Sequence, residues 1–199
     1  ISVIAWFSLL GIGLGVATLI IVMSVMNGFR QELLSRILGV NGHLSVYGVE
    51  RSLANYDRLS GRVAAVEGVV KVTPMIEGQV MAAANGQATG ALVRGLKPGD
   101  LRSREILADN IQFGDLDDFM GLDSVVIGTR LARKLALRGG DKITLISPKG
   151  NITAFGTVPR LRSYKIAALF KVGMHEYDSS FIFMPLAAAQ KYFKLPQAV

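Results

Sequence analysis

The chain has 199 residues, 50% of them hydrophobic and 19% charged, with no cysteine and a formal net charge of +7 at pH 7. That apolar content excludes an intrinsically disordered chain, and the missing thiols exclude a disulfide frame or a thiolate metal site while selecting no compartment. The positive charge makes no nucleic-acid footprint, because Lys and Arg are scattered and no helix gathers them on one face with interleaved aromatics.

From Ile1 to Phe29 there is no charged residue. An apolar run longer than about 18–20 residues is long enough, as a helix, to cross the ~30 Å hydrocarbon layer. A secretory signal would instead have a shorter apolar core, basic residues before it and a small-residue cleavage site after it; here the chain starts inside the run. Beyond it, Phe29, Leu33, Leu34, Ile37 and Leu38 keep helical spacing. The helix is therefore expected to continue to Leu38, stopped by Gly39 and followed by an Asn41-Gly42 turn. At ~1.5 Å per residue it would be roughly 57 Å long, so one end must leave the membrane as a stalk. Gly11 and Gly15, four apart, fit either close packing of membrane helices or the ordinary abundance of glycine there. A phosphate-binding loop would need a preceding strand and, for a P-loop, a Lys-Ser/Thr pair.

The phrase Gly11-Ile12-Gly13-Leu14-Gly15-Val16, then Ser24-Val25-Met26-Asn27-Gly28-Phe29, then Ile37-Leu38-Gly39 resembles the first membrane helix of the lipoprotein-releasing ABC permeases, the LolC/LolE family. Arg30 and Arg36 just past the span would favour a cytoplasmic side by the positive-inside rule, but long soluble domains cross largely regardless of charge. The resemblance implies that the rest of the chain is periplasmic, on a protein of the bacterial inner membrane.

Residues 1–40 are thus expected to form the membrane helix and stalk, and 41–199 an α+β periplasmic domain of two mixed lobes. In the first lobe, 41–96, His43–Tyr47 reads as a short strand. Tyr56, Leu59, Val63 and Val66 line one face of a helix that Gly68 ends, and Val69–Thr73 is a strand closed by Pro74. Glu77–Ala84 and Gln87–Gly95 flank Asn85-Gly86, the strongest hairpin signal in the chain. Residues 97–123 read as a polar, irregular connection. In the second lobe, 124–199, Val125–Ile127 is a strand and Thr129–Leu137 a helix with Leu131 and Leu135 inward. Gly139-Gly140-Asp141 turns into the strand Lys142–Ile146. Tyr164, Ile166, Ala168 and Phe170 alternate with polar and smaller neighbours in another strand. Phe181–Met184 is the last strand, and Pro185 opens a helix through Phe193. This order, with Gly128-Thr129-Arg130-Leu131-Ala132 and Gly140-Asp141, resembles the periplasmic domain of MacB-type permeases.

Between Ile146 and Tyr164 lies a long connection, Ser147–Ser163, bracketed by Pro148 and Pro159. Loops beyond ~12–15 residues are usually functional or disordered, and Ile152, Phe155 and Val158 are not typical of a disordered linker. It reads either as a β-extension packed on its own domain or as a protruding element. The LolC-type permeases carry at this place a protruding hairpin, the Hook, that recruits a periplasmic lipoprotein carrier. The resemblance falls on Pro148, Phe155-Gly156, Pro159 and Arg160. It implies a docking loop of Pro148, Lys149, Ile152, Phe155, Val158, Pro159, Arg160 and Arg162, with Phe155 and Val158 as anchors and Lys149, Arg160 and Arg162 steering. It also implies a LolC-like subunit or a combined subunit.

Catalytic constellations are poor. The two histidines, His43 and His175, have no identifiable partners for a metal or a triad. Asp115, Asp117, Asp118 and Asp123 lack calcium-loop spacing, and Asn151-Ile152-Thr153 is a sequon short enough to arise by chance. With no Walker A lysine motif, no catalytic or metal site and no cofactor is expected in this chain. What the resemblance implies is a permease subunit, not an enzyme. ATP and Mg would be handled by a LolD-like ABC ATPase, whose cycle closes two permease subunits (a homo- or heterodimer) and squeezes acylated lipoproteins from the lipid bilayer toward a LolA-like carrier. The first helix, with its signature residues Gly11, Gly15, Met26, Asn27, Gly28 and Phe29, would line the lipid-accessible cavity, and its extension past Asn27 would transmit movement to the periplasmic lobes. The alternatives are a MacB-like permease for peptide or drug efflux and, from another class, a membrane-anchored periplasmic enzyme.

Overall fold

The computed structural model describes residues 2–48, 52–153 and 156–199, and the chain divides into two compact units, Ile1–His43 and Leu44–Val199. The first unit is essentially one helix, α1, Ser2–Val40, 39 residues long. Its most apolar window has a mean hydropathy of 2.5 and is 0% buried within the protein, as expected of a surface whose solvent is lipid. Thr18, a polar residue inside the apolar stretch, donates its hydroxyl to the Leu14 carbonyl at 2.8 Å, so that group is satisfied without water. The helix runs through Gly39 and ends at Val40, two residues later than expected, and the Asn41 amide still bonds the Ile37 carbonyl.

The second unit begins with an extended segment. Neither His43–Tyr47 nor Val69–Thr73 forms the strand that was expected. Each has suitable side chains, but a strand exists only where a neighbour accepts its backbone hydrogen bonds, and Leu44 and Tyr47 stand out in solvent. Helix α2, Tyr56–Ala64, lies between them, and Gly68 takes the positive φ of 85° that turns the chain back. Then come β1, Ile76–Ala84, and β2, Gln87–Leu96. They are joined by Asn85 and Gly86 at φ 50° and 76°, the left-handed pair that a two-residue hairpin demands. The Asn85 side chain also donates to the carbonyls of Leu135 and Ala136 at 3.1 and 2.9 Å.

The connection 97–123 is more ordered than its polarity suggests. It holds α3, Pro98–Arg102, α4, Glu105–Ala108, β3, Ile111–Gly114, and a 3-10 turn, Leu116–Asp118, pinned by the buried Leu101, Leu107, Leu116 and Phe119. There follow β4, Ser124–Gly128, α5, Thr129–Lys134, β5, Lys142–Thr153, and β6, Gly156–Phe170. The chain closes with α6, His175–Ser180, β7, Phe181–Pro185, and α7, Leu186–Phe193.

The strands form one 7-stranded sheet in the order β3-β6-β4-β7-β2-β1-β5, and an additional pairing of β6 with β5 closes it into a small barrel with β3 outside the ring. The corner is Lys165, which lies opposite Ser124 of β4 and Lys142 of β5. Strands from both expected lobes share this ring. β2 pairs in parallel with β7, and β1 pairs with β5, so residues 44–199 make one compact unit where two lobes were expected. The reason is burial. A lone hairpin cannot cover its apolar face, and here Val80, Val93, Ile127, Ile143, Tyr164, Ile166 and Ile182 share a single core.

The residues that resemble the second signature have structural work. A Cβ on Gly128 would stand 2.2 Å from the Asp178 carbonyl oxygen, so only glycine permits that approach. Asp178 itself is buried and accepts the Val172 and Gly173 amides at 2.9 and 3.2 Å, fixing the turn into α6. Gly140 has φ 89°, and the Asp141 carboxylate accepts the Arg138 amide at 2.7 Å.

Candidate functional site

The long connection is a continuation of β5 and β6. In the inner halves of these strands, Ile143 and Leu145 face Tyr164, Ile166, Ala168 and Phe170 in the core, and all are buried. The ladder continues outward through Ile146 opposite Leu161 and Ser147 opposite Arg160, shifts, and resumes with Asn151 opposite Val158, Ile152 opposite Thr157 and Thr153 opposite Gly156. Pro148 and Pro159 lie at this irregularity. A proline has no amide to give to a ladder, and bulges are where strands tolerate it. The prolines bracket a change of register, not a loop.

Strand β5 last touches β1 at Ile146, and β6 meets β3 and β4 only from Lys165 onward. Beyond Ser147 and Arg160, among the described residues, the two strands therefore pair only with each other. A two-stranded ribbon is marginal by itself in water, so its base must hold it. Arg160 donates from its guanidinium to the Tyr192 carbonyl of α7. Arg162 pairs with Asp123 at 2.7 Å and lies 5.5 Å over the Tyr164 ring, and the Asp123 carbonyl takes the Lys165 amide at 2.7 Å. Thr144 and Ser163 join their hydroxyls across the ladder at 2.9 Å.

Beneath this base the Tyr164 and Tyr192 rings meet edge to face at 6.1 Å, the favoured arrangement of two quadrupoles. Their hydroxyls and the Arg160 Nε are buried without a hydrogen-bond partner among the described residues. Burial pushes both phenols up to about 12, and for Tyr192 the neighbouring Tyr164 adds to the rise.

The expected docking residues divide into three groups. Val158 is 52% exposed, and Pro148 and Pro159 are exposed beside it. Arg160 and Arg162 turn to the body, where each has a partner, so they are not the freely presented charges that the sequence suggested. Phe155 lies outside the described residues, as do the side chains of Lys149 and Ile152. Leu161, 61% exposed, was missed; its signal was the alternation with Arg160 and Arg162, which puts it on the other face of the strand.

Elsewhere the sequence candidates stay apart. His43 and His175 are exposed, and among the described residues no three His, Cys, Asp or Glu side chains gather as a metal site would need. The acidic stretch is used locally: Asp115 accepts the Asp117 amide at 2.9 Å, and Asp117 pairs with Arg102 at 2.7 Å. In α1, Met26 and Phe29 are exposed, and a Cβ at Gly11, Gly15 or Gly28 would meet open space within the chain.

Residues 5–198 match the family model described as the MacB-like periplasmic core domain. Over 199 residues the chain is 31% identical to the lipoprotein-releasing system transmembrane protein LolC of Neisseria meningitidis serogroup B, covering 100% of this chain and 48% of that protein. It is 26% identical over 196 residues to the corresponding LolE of Haemophilus influenzae, covering 96% and 47%. The chain thus spans about half the length of these curated relatives. Among solved structures, the extracellular domain of the noncanonic ABC-type transporter YknZ from Gram-positive bacteria is 17% identical, with 72% and 67% covered and a TM-score of 0.49. The periplasmic region of MacB from Actinobacillus actinomycetemcomitans is 14% identical, with 76% and 61% covered and a TM-score of 0.47.

Proposed function

We propose that this chain, which belongs to the MacB-like periplasmic core domain family and is a homologue of the lipoprotein-releasing transmembrane proteins LolC and LolE, is part of a permease subunit that passes lipoproteins from the inner membrane to a periplasmic carrier through its β5–β6 hairpin. The observation that carries the docking role is the ribbon itself. It leaves the closed sheet at the Pro148 and Pro159 irregularity and exposes Val158 where, among the described residues, no third strand pairs with it, while Leu161 is exposed at its base. Exposed apolar side chains on a protruding element commonly mark a partner site. Burying each large one is worth roughly 1.5–3 kcal/mol. A carrier whose cavity holds acyl chains offers the complementary apolar surface, with Phe155 as the further anchor and Lys149 as the steering charge.

The remaining parts follow the same reading. α1 is the membrane anchor, with the domain after it in the periplasm. ATP and Mg act in a LolD-like ABC ATPase, a reading that the homology to LolC and LolE supports; these 199 residues themselves hold no phosphate-cradling loop with its lysine. That ATPase drives two permease subunits together, and the work appears as extrusion of the acylated cargo.

The test uses the full-length permease in detergent and the purified carrier. Deleting 149–158, with folding checked by unfolding midpoint, is expected to abolish capture; undiminished capture overturns the docking role. Topology is checked by cysteines introduced at Ser52 and Ser103, since the chain has no thiol of its own. Labelling by an impermeant reagent in cells whose outer membrane alone is opened is expected, and labelling only after the inner membrane is opened overturns the periplasmic assignment.

A further inference from the structure

We propose that Arg160 is a positioning residue, which sets the direction of the hairpin by tying it through α7 to the place where the chain enters and leaves the domain. The consequence for the carrier rests on the docking role proposed above; the tie itself does not.

The reason begins in the sequence. The last carbonyls of a helix have no intrahelical donor. For Tyr192 the residue four further on is Pro196, which has no amide to give. The Leu195 amide instead reaches back to the Gln190 carbonyl at 2.9 Å as Lys194 turns left-handed at φ 58°. The Tyr192 carbonyl is thereby left for another donor, and the Arg160 guanidinium supplies it. A cation at a helix C-terminus is favourable to the dipole as well as to the hydrogen bond. The Arg160 Nε is buried with no partner among the described residues, a cost that a charge meant only to steer a partner would avoid by staying in water.

From α7 the connection continues without a gap. Gln190 donates its side-chain amide to the Ala198 carbonyl at 3.1 Å. Ala198 forms an antiparallel bridge with Ala54, flanked by Leu53 to Val199 bonds of 2.6 and 3.2 Å in both directions. The segment after the stalk and the segment at the far end of the domain are therefore zipped together, and α7 hangs from that zipper by Gln190. Arg160 joins the hairpin to the same helix. A pull on either segment reaches the hairpin through hydrogen bonds of fixed direction, and not through a flexible loop.

The test is hydrogen exchange on the full-length permease with three variants: Arg160→Met, which keeps the stem and removes the donor; Arg160→Lys, which keeps a donor and the charge; and Gln190→Leu, which touches no hairpin residue. Losing one charge-assisted bond corresponds to about 10-fold or more in local opening. Amides from Ser147 to Leu161 are expected to exchange about 10-fold faster in Arg160→Met, to recover most of their protection in Arg160→Lys, and to be loosened less in Gln190→Leu, each relative to the unmodified protein. Amides of Ile127 and Ile182 in the ring are expected to stay unchanged in all three, which a general loss of stability would not allow. Unchanged hairpin exchange in Arg160→Met overturns the proposal, and so does a Gln190→Leu hairpin as protected as the original. Carrier titrations at two salt concentrations then separate this proposal from the docking role. Arg160→Met is expected to weaken capture while leaving its salt dependence unaltered, whereas a steering charge would lower the salt dependence. If no carrier binds the unmodified permease, the docking role fails and the exchange result still decides the tie.

Discussion

Strands β5 and β6 pass through two environments within a few residues. In the inner halves every second side chain is locked into the core, with Tyr164, Ala168 and Phe170 wholly buried. In the outer halves Val158 and Leu161 are more than half exposed, 52% and 61%. The same backbone pairing therefore does two jobs. Closure of the ring supplies the stability, and the ribbon borrows it through Arg160, Arg162 and the Thr144–Ser163 bond. A hairpin anchored in this way can carry apolar side chains for a partner, since its folding does not depend on burying them.

The contrast breaks most visibly in the core. Phe170→Ala, in a ring packed 5.4 Å from Phe183, is expected to cost about 3–5 kcal/mol by denaturant unfolding; a loss below about 1 kcal/mol would mean that the ring is not the stabilising region. Next comes alkaline pH. Tyr164 and Tyr192 titrate near 10.0 when unfolded and at about 12 when folded. Below pH 10 both states are protonated and the contribution is fully present; above it the unfolded chain releases its protons first, so stability falls as pH rises through 12. Two units on one group correspond to about 3 kcal/mol. Tyr192→Phe should flatten part of that fall while costing little at neutral pH, because its hydroxyl has no partner to lose among the described residues.

A smaller effect is expected at the seam between sheet and helix. A Cβ on Gly95 would stand 2.2 Å from the Ala189 Cβ of α7, so Gly95→Ala must push the helix outward, at about 1–3 kcal/mol. In the ribbon the readout changes from stability to binding. Phe155→Asp is expected to weaken carrier capture by at least ~10-fold, equivalent to about 1.4 kcal/mol, and Leu161→Asp less, with unfolding midpoints unmoved. The smallest effect sharpens the comparison: Val158→Ala should change folding stability by less than about 0.5 kcal/mol. A cost like that of Phe170→Ala would show that the ribbon packs on its own domain after all.

What could be read from the chain itself was local. The Asn85-Gly86 hairpin, β4, β7 and the helix after Pro185 needed only turn chemistry and short-range periodicity, and their ends fall within a residue or two of expectation. Expectations failed where a partner mattered. His43–Tyr47 and Val69–Thr73 have the side chains of strands and, among the described residues, no neighbour to pair with. The two lobes merged because β1 and β2 find β5 and β7 across more than fifty residues of chain. Asp178 carried no sequence signal, since its role depends on the Val172 and Gly173 amides folding back onto it.

The sequence by itself determined α1, because an uncharged run of that length chooses lipid by composition alone. It also determined that an unusual segment lies between the two prolines, because proline and exposed apolar residues leave a mark at every scale. Only the tertiary structure decided that this segment is a ribbon continuing the sheet, and that Arg160 faces inward. The donor that a helix end lacks is a matter of three-dimensional distance. Pro196 frees the Tyr192 carbonyl, but only the closed ring brings Arg160, thirty-two residues earlier in the chain, close enough to take it.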